Sequence, residues 1–264
     1  MSLLAGTLVL RPYVFAFLAT FLVLAVRDLG ARRALGFLGL GFAVALSAEY
    51  ASTRVGVPFG LYHYTGATAG RELFVSNVPF FDPLCFPFLA YASWCVARRV
   101  TGEARGVRVA GLAAALMMLL DVVIDPLAVR GDRWFLGHLF DYPVPGAYFG
   151  VPLSNFAGWF LVGLAIVGGF LGLSRSAPQA SPGPGVLLYY GILVFNLAIT
   201  LWIGELALLL AGLLLHAVMA IGLLSRDYSL RGRGLHAGPF PELGVPLPPA
   251  CHAAYVGRKR VGGQ

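Results

Sequence analysis

The stretch AGLAAALMMLLDVVIDP, residues 110–126, decides how the chain is read. Eleven apolar residues run into Asp121, three more separate it from Asp125, and Pro126 follows. The segment 108–125 around it falls within the span length of about 17–25 residues. On a helix the two aspartates lie on one face, with Cβ atoms roughly 6 Å apart. Pro126 predicts that the helix stops there, because it lacks an N–H and crowds the turn before it. Ionised groups in lipid cost about 2.5–3.5 kcal/mol each on insertion scales and are usually functional. Packing alone gives no reason for two of them.

Composition agrees with this reading. The 264 residues are 58% hydrophobic and 12% charged, with a mean hydropathy of +0.79. A soluble domain carries about 25% charged residues. The expected fold is therefore all-α: a polytopic membrane helix bundle of about seven transmembrane helices. The apolar segments are 8–26, 34–51, 79–97, 108–125, 153–174, 186–203 and 205–224. The last two are separated only by Gly204 and Glu205, so they require a very tight hairpin or a tilted or broken span. Residues 1–225 read as one helix-bundle domain. Residues 226–264 read as a Pro/Gly-rich basic tail in the cytoplasm, touching anionic lipid. Residues 176–185, SAPQASPGPG, form a linker. The first apolar run has neither the basic start nor the cleavage site of a secretory signal and is expected to be a retained span.

The net charge of +7 does not indicate nucleic acid, because the basic residues sit between apolar runs. With seven spans, most of them fall on one side: Arg27, Arg32 and Arg33, then Arg98, Arg99, Arg105 and Arg108, then Arg175 and the tail. The positive-inside rule then places the N-terminus outside and the C-terminus in the cytoplasm of a bacterial inner membrane. Cys85, Cys95 and Cys251 form no CxxC pair, so structural zinc or iron–sulfur binding is not expected.

In this topology Glu49, Asp82, Asp121, Asp125, Asn155 and Glu205 converge on the outer face, and the inner half has almost no buried acid. Two long aromatic loops, 52–78 and 126–152, lie on the same side. Simpler readings exist for several of these residues. Glu49 could pair with Arg54; Asp82 could cap a helix that starts at Pro83; Glu205 could anchor a hairpin. Asp132, Asp141, His63 and His138 read as solvated loop residues, and His216 as a packed one. Tyr62, Tyr64, Phe80, Phe81, Trp134, Phe135, Tyr142, Tyr148, Phe149 and Trp159 fit an interfacial belt. They equally fit a pocket that stabilises a cation through its rings.

Four strings, EYASTRVGVPFGLYHY (49–64), NVPFFDPLCFPF (77–88), DVVIDPLA (121–128) and YFGVPLSNFAGW (148–159), resemble the integral-membrane carotenoid hydratases of the bacterioruberin type. The similarity runs in order over about residues 45–225. It implies an enzyme, a hydro-lyase, that adds water to the terminal double bond of an acyclic carotenoid end. The partners are then a long apolar carotenoid, membrane lipid and other enzymes of the carotenoid pathway. The chemistry needs no metal and no organic cofactor: a proton goes to the alkene, a tertiary cation forms at C1, and water captures it.

Such a reaction requires a carboxylic acid that stays protonated at neutral pH. Burial and a neighbouring carboxylate both favour this. Asp121 is expected to be the general acid and Asp125 its tuning partner. Glu49 and Asp82 are expected to stabilise the cation or orient the water, with Asn155 and Tyr64 as hydrogen-bond partners. Tyr62, Phe81, Trp134, Tyr148, Phe149 and Trp159 are expected to line the substrate slot. A membrane carotenoid cyclase would use the same protonation step. A prenyltransferase would need a second acidic cluster that the chain lacks. A proton-coupled transporter would need acids tracing a path across the bilayer.

Overall fold

The computed structural model describes residues 2–174, 176 and 178–235. Beyond residue 235 the expected tail lies outside the described residues. The described chain forms eight α-helices: α1 (Leu3–Leu10), α2 (Pro12–Leu29), α3 (Ala31–Val55), α4 (Cys85–Thr101), α5 (Val107–Ala128), α6 (Leu153–Leu173), α7 (Gly183–Trp202) and α8 (Leu206–Leu235). Five of them, α2, α3, α5, α6 and α7, are long and apolar enough to cross a membrane. The polytopic all-α bundle is thus the observed fold.

Pro12 opens α2, where a missing N–H costs nothing, and separates it from the short α1. α3 ends at Gly56, in the left-handed conformation that caps a helix. α7 and α8 are joined by Ile203, Gly204 and Glu205, with Gly204 at φ +77°. This is the tight hairpin that the short spacing demands.

α4 is the central element. Phe86 through Arg98 are all buried, as expected for a helix that is apolar on every side. It packs against α2, α3, α5, α6 and α7. Trp94 and Tyr91 meet Phe21, Phe37 and Phe170 in one aromatic cluster. Lipid tails are as apolar as leucine, so association within a membrane depends on close packing at small residues. Gly163 of α6 lies so near Ala114 of α5 that a Cβ there would meet its Cα at 3.2 Å.

Two expectations about helix ends are corrected. The third apolar segment starts at residue 79 in the sequence, but α4 begins only at Cys85. Val78–Pro79 forms a short strand, and 80–84 is a turn. Pro126 does not end α5, which continues to Ala128. So close to the C-terminus the proline removes a single backbone bond, and the Val129 N–H still reaches the Asp125 carbonyl at 2.9 Å.

The long loops carry four two-residue strands: β1 (His63–Tyr64), β2 (Phe74–Val75), β3 (Val78–Pro79) and β4 (Phe140–Asp141). β2 and β3 form a hairpin, and β1 pairs antiparallel with β4, setting Tyr64 opposite Phe140. Thr65 adds a backbone bond to Leu139 at 2.9 Å. The two loops are therefore zipped together over one end of the bundle.

Candidate active site

Under that zipped cover, three helices, the turn before α4 and strand β1 bring polar groups to a single place. Glu49 comes from the last turns of α3, Asp82 from the turn before α4, Asp121 and Asp125 from α5, Asn155 and Trp159 from the first turns of α6, and Tyr64 from β1. The local sequence sets these positions. Ser52 Oγ accepts the Phe59 N–H at 3.0 Å, folding the chain back after α3. Gly158 has no side chain because a Cβ would meet Phe59 Cδ1 at 2.6 Å and Pro58 O at 2.8 Å. The PFGLYHY and YFGVPLSNFAGW strings are therefore packed against each other.

The Tyr64 hydroxyl oxygen lies 3.0 Å from Glu49 Oε2 and 2.7 Å from Asp82 Oδ2. A single hydroxyl hydrogen can satisfy only one carboxylate. The other contact is a hydrogen bond only if that carboxyl carries a proton and donates to the tyrosine oxygen. One proton shared by the two carboxyls would make both contacts hydrogen bonds. Burial pushes the Asp82 carboxyl up to about 7; the Tyr64 hydrogen bond works against this and nearby Asp125 adds to it. The Tyr64 hydroxyl is itself held well above its ordinary value by burial and by Asp82 and Glu49. Glu49 is 2% exposed, and its Oε1 has no hydrogen-bond partner.

Asp125 is held by different donors. Its Oδ2 accepts the Asn155 amide at 2.7 Å and the Trp159 indole N–H at 3.1 Å. Two donors on one oxygen fix the orientation of the carboxyl. Asn155 also donates to Asp121 Oδ2 at 2.8 Å. The indole of Trp159 is stacked on Phe86, centroids 4.3 Å apart, which fixes its donor.

Two adjoining chambers meet at these groups. The apolar one, about 90 Å³, is walled by Tyr13, Phe17, Phe81, Phe88, Leu89, Ile124, Trp134, Ile192 and Phe195 among others. The polar one, about 30 Å³, is bordered by Glu49, Phe59, Tyr62, Tyr64, Phe86, Tyr142 and Asn155. Asp82, Asp125, Phe140 and Trp159 border both. A volume near 30 Å³ with several polar neighbours suits one or two water molecules. Among the described residues no three of His, Cys, Asp and Glu are arranged to hold a metal ion.

The expected residues are thus largely together. Glu49, Asp82, Asp125, Tyr62, Tyr64, Phe81, Trp134, Asn155 and Trp159 all border one chamber or both. Three do not. Asp121 is fully buried behind Asn155 and borders neither chamber, and its Oδ1 has no partner. Tyr148 and Phe149 pack instead in a separate cluster with Leu127, Ile199 and Leu208. The simpler readings of Glu49 and Asp82 also fail. Arg54 bonds Asn77 and Ser76, and α4 is preceded by Leu84 without a side-chain cap. Glu205 is a hairpin anchor, paired with Arg130 and Arg133 away from the chambers.

Two buried ion pairs escaped the sequence reading. Arg11 is 1% exposed and grips Glu72 with two bonds, at 2.9 and 3.1 Å. It also donates to Leu136 O and lies over the Phe81 ring, 4.4 Å from its centroid, beside Asp82. At the other end of α2, Asp28 is 2% exposed and accepts from Arg98 and Tyr91. That half of the bundle does hold a buried acid, contrary to expectation, but it is neutralised by its partner. The aromatic wall from α2 left a signal: Tyr13 and Phe17 are four residues apart, hence on one helix face.

The family described as "Carotenoid biosynthesis protein" matches residues 6–225. A relative named bisanhydrobacterioruberin hydratase, from Haloarcula japonica, is 33% identical over 174 residues. The match covers 63% of this chain and 56% of the relative, so the chain spans little more than half the length of that protein. No solved structure matches the chain.

Proposed function

The chain belongs to the carotenoid biosynthesis protein family, and on that premise we propose that it is a hydratase acting on the terminal double bond of an acyclic carotenoid. The observation that carries this reading is the pair of chambers with Asp82 on their common wall. The apolar chamber takes the branched tip of the polyene, with the rest of the chain lying in lipid. The polar chamber takes water.

In this reading Asp82, not Asp121, is the proton donor. Asp121 has no access to either chamber, whereas Asp82 borders both and shares one proton with Glu49 through Tyr64. Asp82 protonates C2 of the terminal alkene. The tertiary cation that forms at C1 faces the Asp125 carboxylate and the rings of Trp159 and Phe140, which stabilise it by charge and by cation–π attraction. Water from the polar chamber attacks C1. Its surplus proton passes to a carboxylate, giving the alcohol. Asn155 and Asp121 hold Asp125 in place. No metal or organic cofactor enters any step, and the enzyme is a hydro-lyase of the bacterial inner membrane with its N-terminus outside.

Expression in a lycopene-producing bacterial host, followed by mass analysis of the pigments, tests the proposal. The expected product has gained one water per reacted end. Pigments of unchanged mass would sink it.

A further inference from the structure

We propose that Tyr64 is a proton relay that resets the enzyme between turnovers by passing a proton from Glu49 to Asp82. The inference rests on the hydratase reading but goes beyond it. That reading says where the proton is spent; it does not say how the donor recovers it.

The two carboxyls stand differently to the two chambers. Asp82 borders both, so it can reach the alkene. Glu49 borders only the polar chamber, which the hydratase reading gives to water, and its buried Oε1 has no hydrogen-bond partner. An unsatisfied buried acceptor is costly, and an oxygen so placed is suited to receive a proton from a bound water. The other oxygen of Glu49, Oε2, is 3.0 Å from the Tyr64 hydroxyl, which in turn is 2.7 Å from Asp82 Oδ2. The three groups form a continuous chain of hydrogen-bonding oxygens. The Tyr62 hydroxyl, 3.5 Å from that of Tyr64, orients the chain from the side.

The cycle balances. The Asp82 O–H bond breaks and a C2–H bond forms, leaving the cation at C1. A water oxygen forms the C1–O bond and becomes positively charged. It releases a proton to the Glu49 carboxylate, and the neutral alcohol departs. The Glu49 carboxyl then turns to bring its protonated oxygen to Tyr64 and donates to the Tyr64 oxygen as the Tyr64 hydrogen moves to the Asp82 carboxylate. The net consumption is one alkene and one water. Tyr64 ends as it began, a neutral phenol, and never ionises.

A relay that acts only in the reset has a distinctive signature. The full-length protein in lipid vesicles would be given an acyclic carotenoid with an isopropylidene end, and hydrated product per protein molecule followed by rapid quenching. Wild type should turn over continuously. Tyr64→Phe should form about one product per protein and then stall, with later turnover slower by roughly 100-fold or more, the range for loss of a proton-transfer group. Glu49→Gln keeps Tyr64 but lacks the base, so its first turnover should be slow as well. Wild type that makes no hydrated carotenoid would overturn the hydratase reading and the relay with it. A hydrating wild type whose Tyr64→Phe variant cycles at the same rate would overturn the relay alone. Equal slowing of its first and later turnovers would do the same, because that is what mere loss of structure produces. Should Tyr64→Phe fail to fold, Glu49→Gln decides: continuous cycling at the wild-type rate overturns the relay.

Discussion

Replacing Asp82 by asparagine separates donor from bystander. The change is nearly isosteric, and the new amide can donate to the Tyr64 oxygen while the Tyr64 hydrogen goes to Glu49. Both contacts, now 2.7 and 3.0 Å, survive. Folding should not suffer. Burial already lifts the Asp82 carboxyl to about 7, so at higher pH the folded protein gives up a carboxylate it holds at a cost, and the melting temperature should stay level or rise. Catalysis should fall by about 10²–10⁴-fold, the usual contribution of a positioned general acid. That corresponds to roughly 3–5 kcal/mol of barrier. The control is Asp121→Asn. Asp121 borders neither chamber and touches the site through Asn155, at 2.8 Å, and through the Asp125 carboxyl. The isosteric amide can still accept from Asn155 and donate to Asp125, so the reaction should slow by about tenfold at most, the loss of one hydrogen bond. Both variants, expressed in a lycopene-producing host, would be compared by hydrated pigment per unit of membrane-inserted protein. Near-normal product from Asp82→Asn, or a deeper loss in Asp121→Asn, would refute the assignment.

Activity should also depend on pH through Asp82. Its folded value is raised, so the donor is fully protonated well below about 7 and is lost as pH rises through that value; turnover should then drop roughly tenfold per unit, and a rate that holds level to pH 9 contradicts this. Arg11→Ala leaves Glu72, 1% exposed, as an unpaired buried charge. It should cost about 3–5 kcal/mol in thermal or denaturant unfolding, while Arg11→Met with Glu72→Leu recovers most of the loss. Gly158→Ala drives a Cβ to 2.8 Å from the Pro58 carbonyl oxygen. It should cost about 1–3 kcal/mol and disturb Trp159, whereas Gly111→Ala, with nothing within 4 Å, should be neutral or slightly stabilising by melting temperature.

The seven apolar segments correspond to α2 through α8 because hydropathy over about 20 residues is a strong signal. It fails where apolar residues do something else. Pro79, Phe80 and Phe81 read like the start of a span, yet they form a strand end and a turn under the loops. The acidic centre was legible because carboxyls are conspicuous in an oily chain. Which of them border the chambers was not. Whether Asp121 or Asp125 borders a chamber depends on the rotation of α5, which packing against α4 and α6 sets and a four-residue spacing does not. Tyr148 and Phe149 lie in a loop whose path no periodicity describes, and they turn toward Leu127 and Leu208. Asp28 and Arg98 are 70 residues apart in sequence. Each sits near a helix end, and only the fold pairs them.

Hydration and cyclisation begin with the same protonation, so the acids cannot choose between them. The choice falls to whatever reaches the C1 cation first. Ring closure needs an internal double bond of the same chain folded back beside C1, hence a chamber wide enough for a doubled polyene. Hydration needs a narrow slot for a single tip and water waiting at its end. The apolar chamber here, about 90 Å³ between the rings of Phe17, Phe88, Trp134 and Phe195, is a slot of the second kind. Its inner wall is shared with a polar chamber of about 30 Å³ that Tyr62, Tyr142 and Asn155 make hospitable to water. The stacked Phe86 and Trp159 rings stiffen that wall and keep it from yielding to a folded substrate. On the proposed reading, a cation formed beside Asp82 has the polar chamber on one side and Asp125 with packed aromatic surface on the others, and capture by water is the short path.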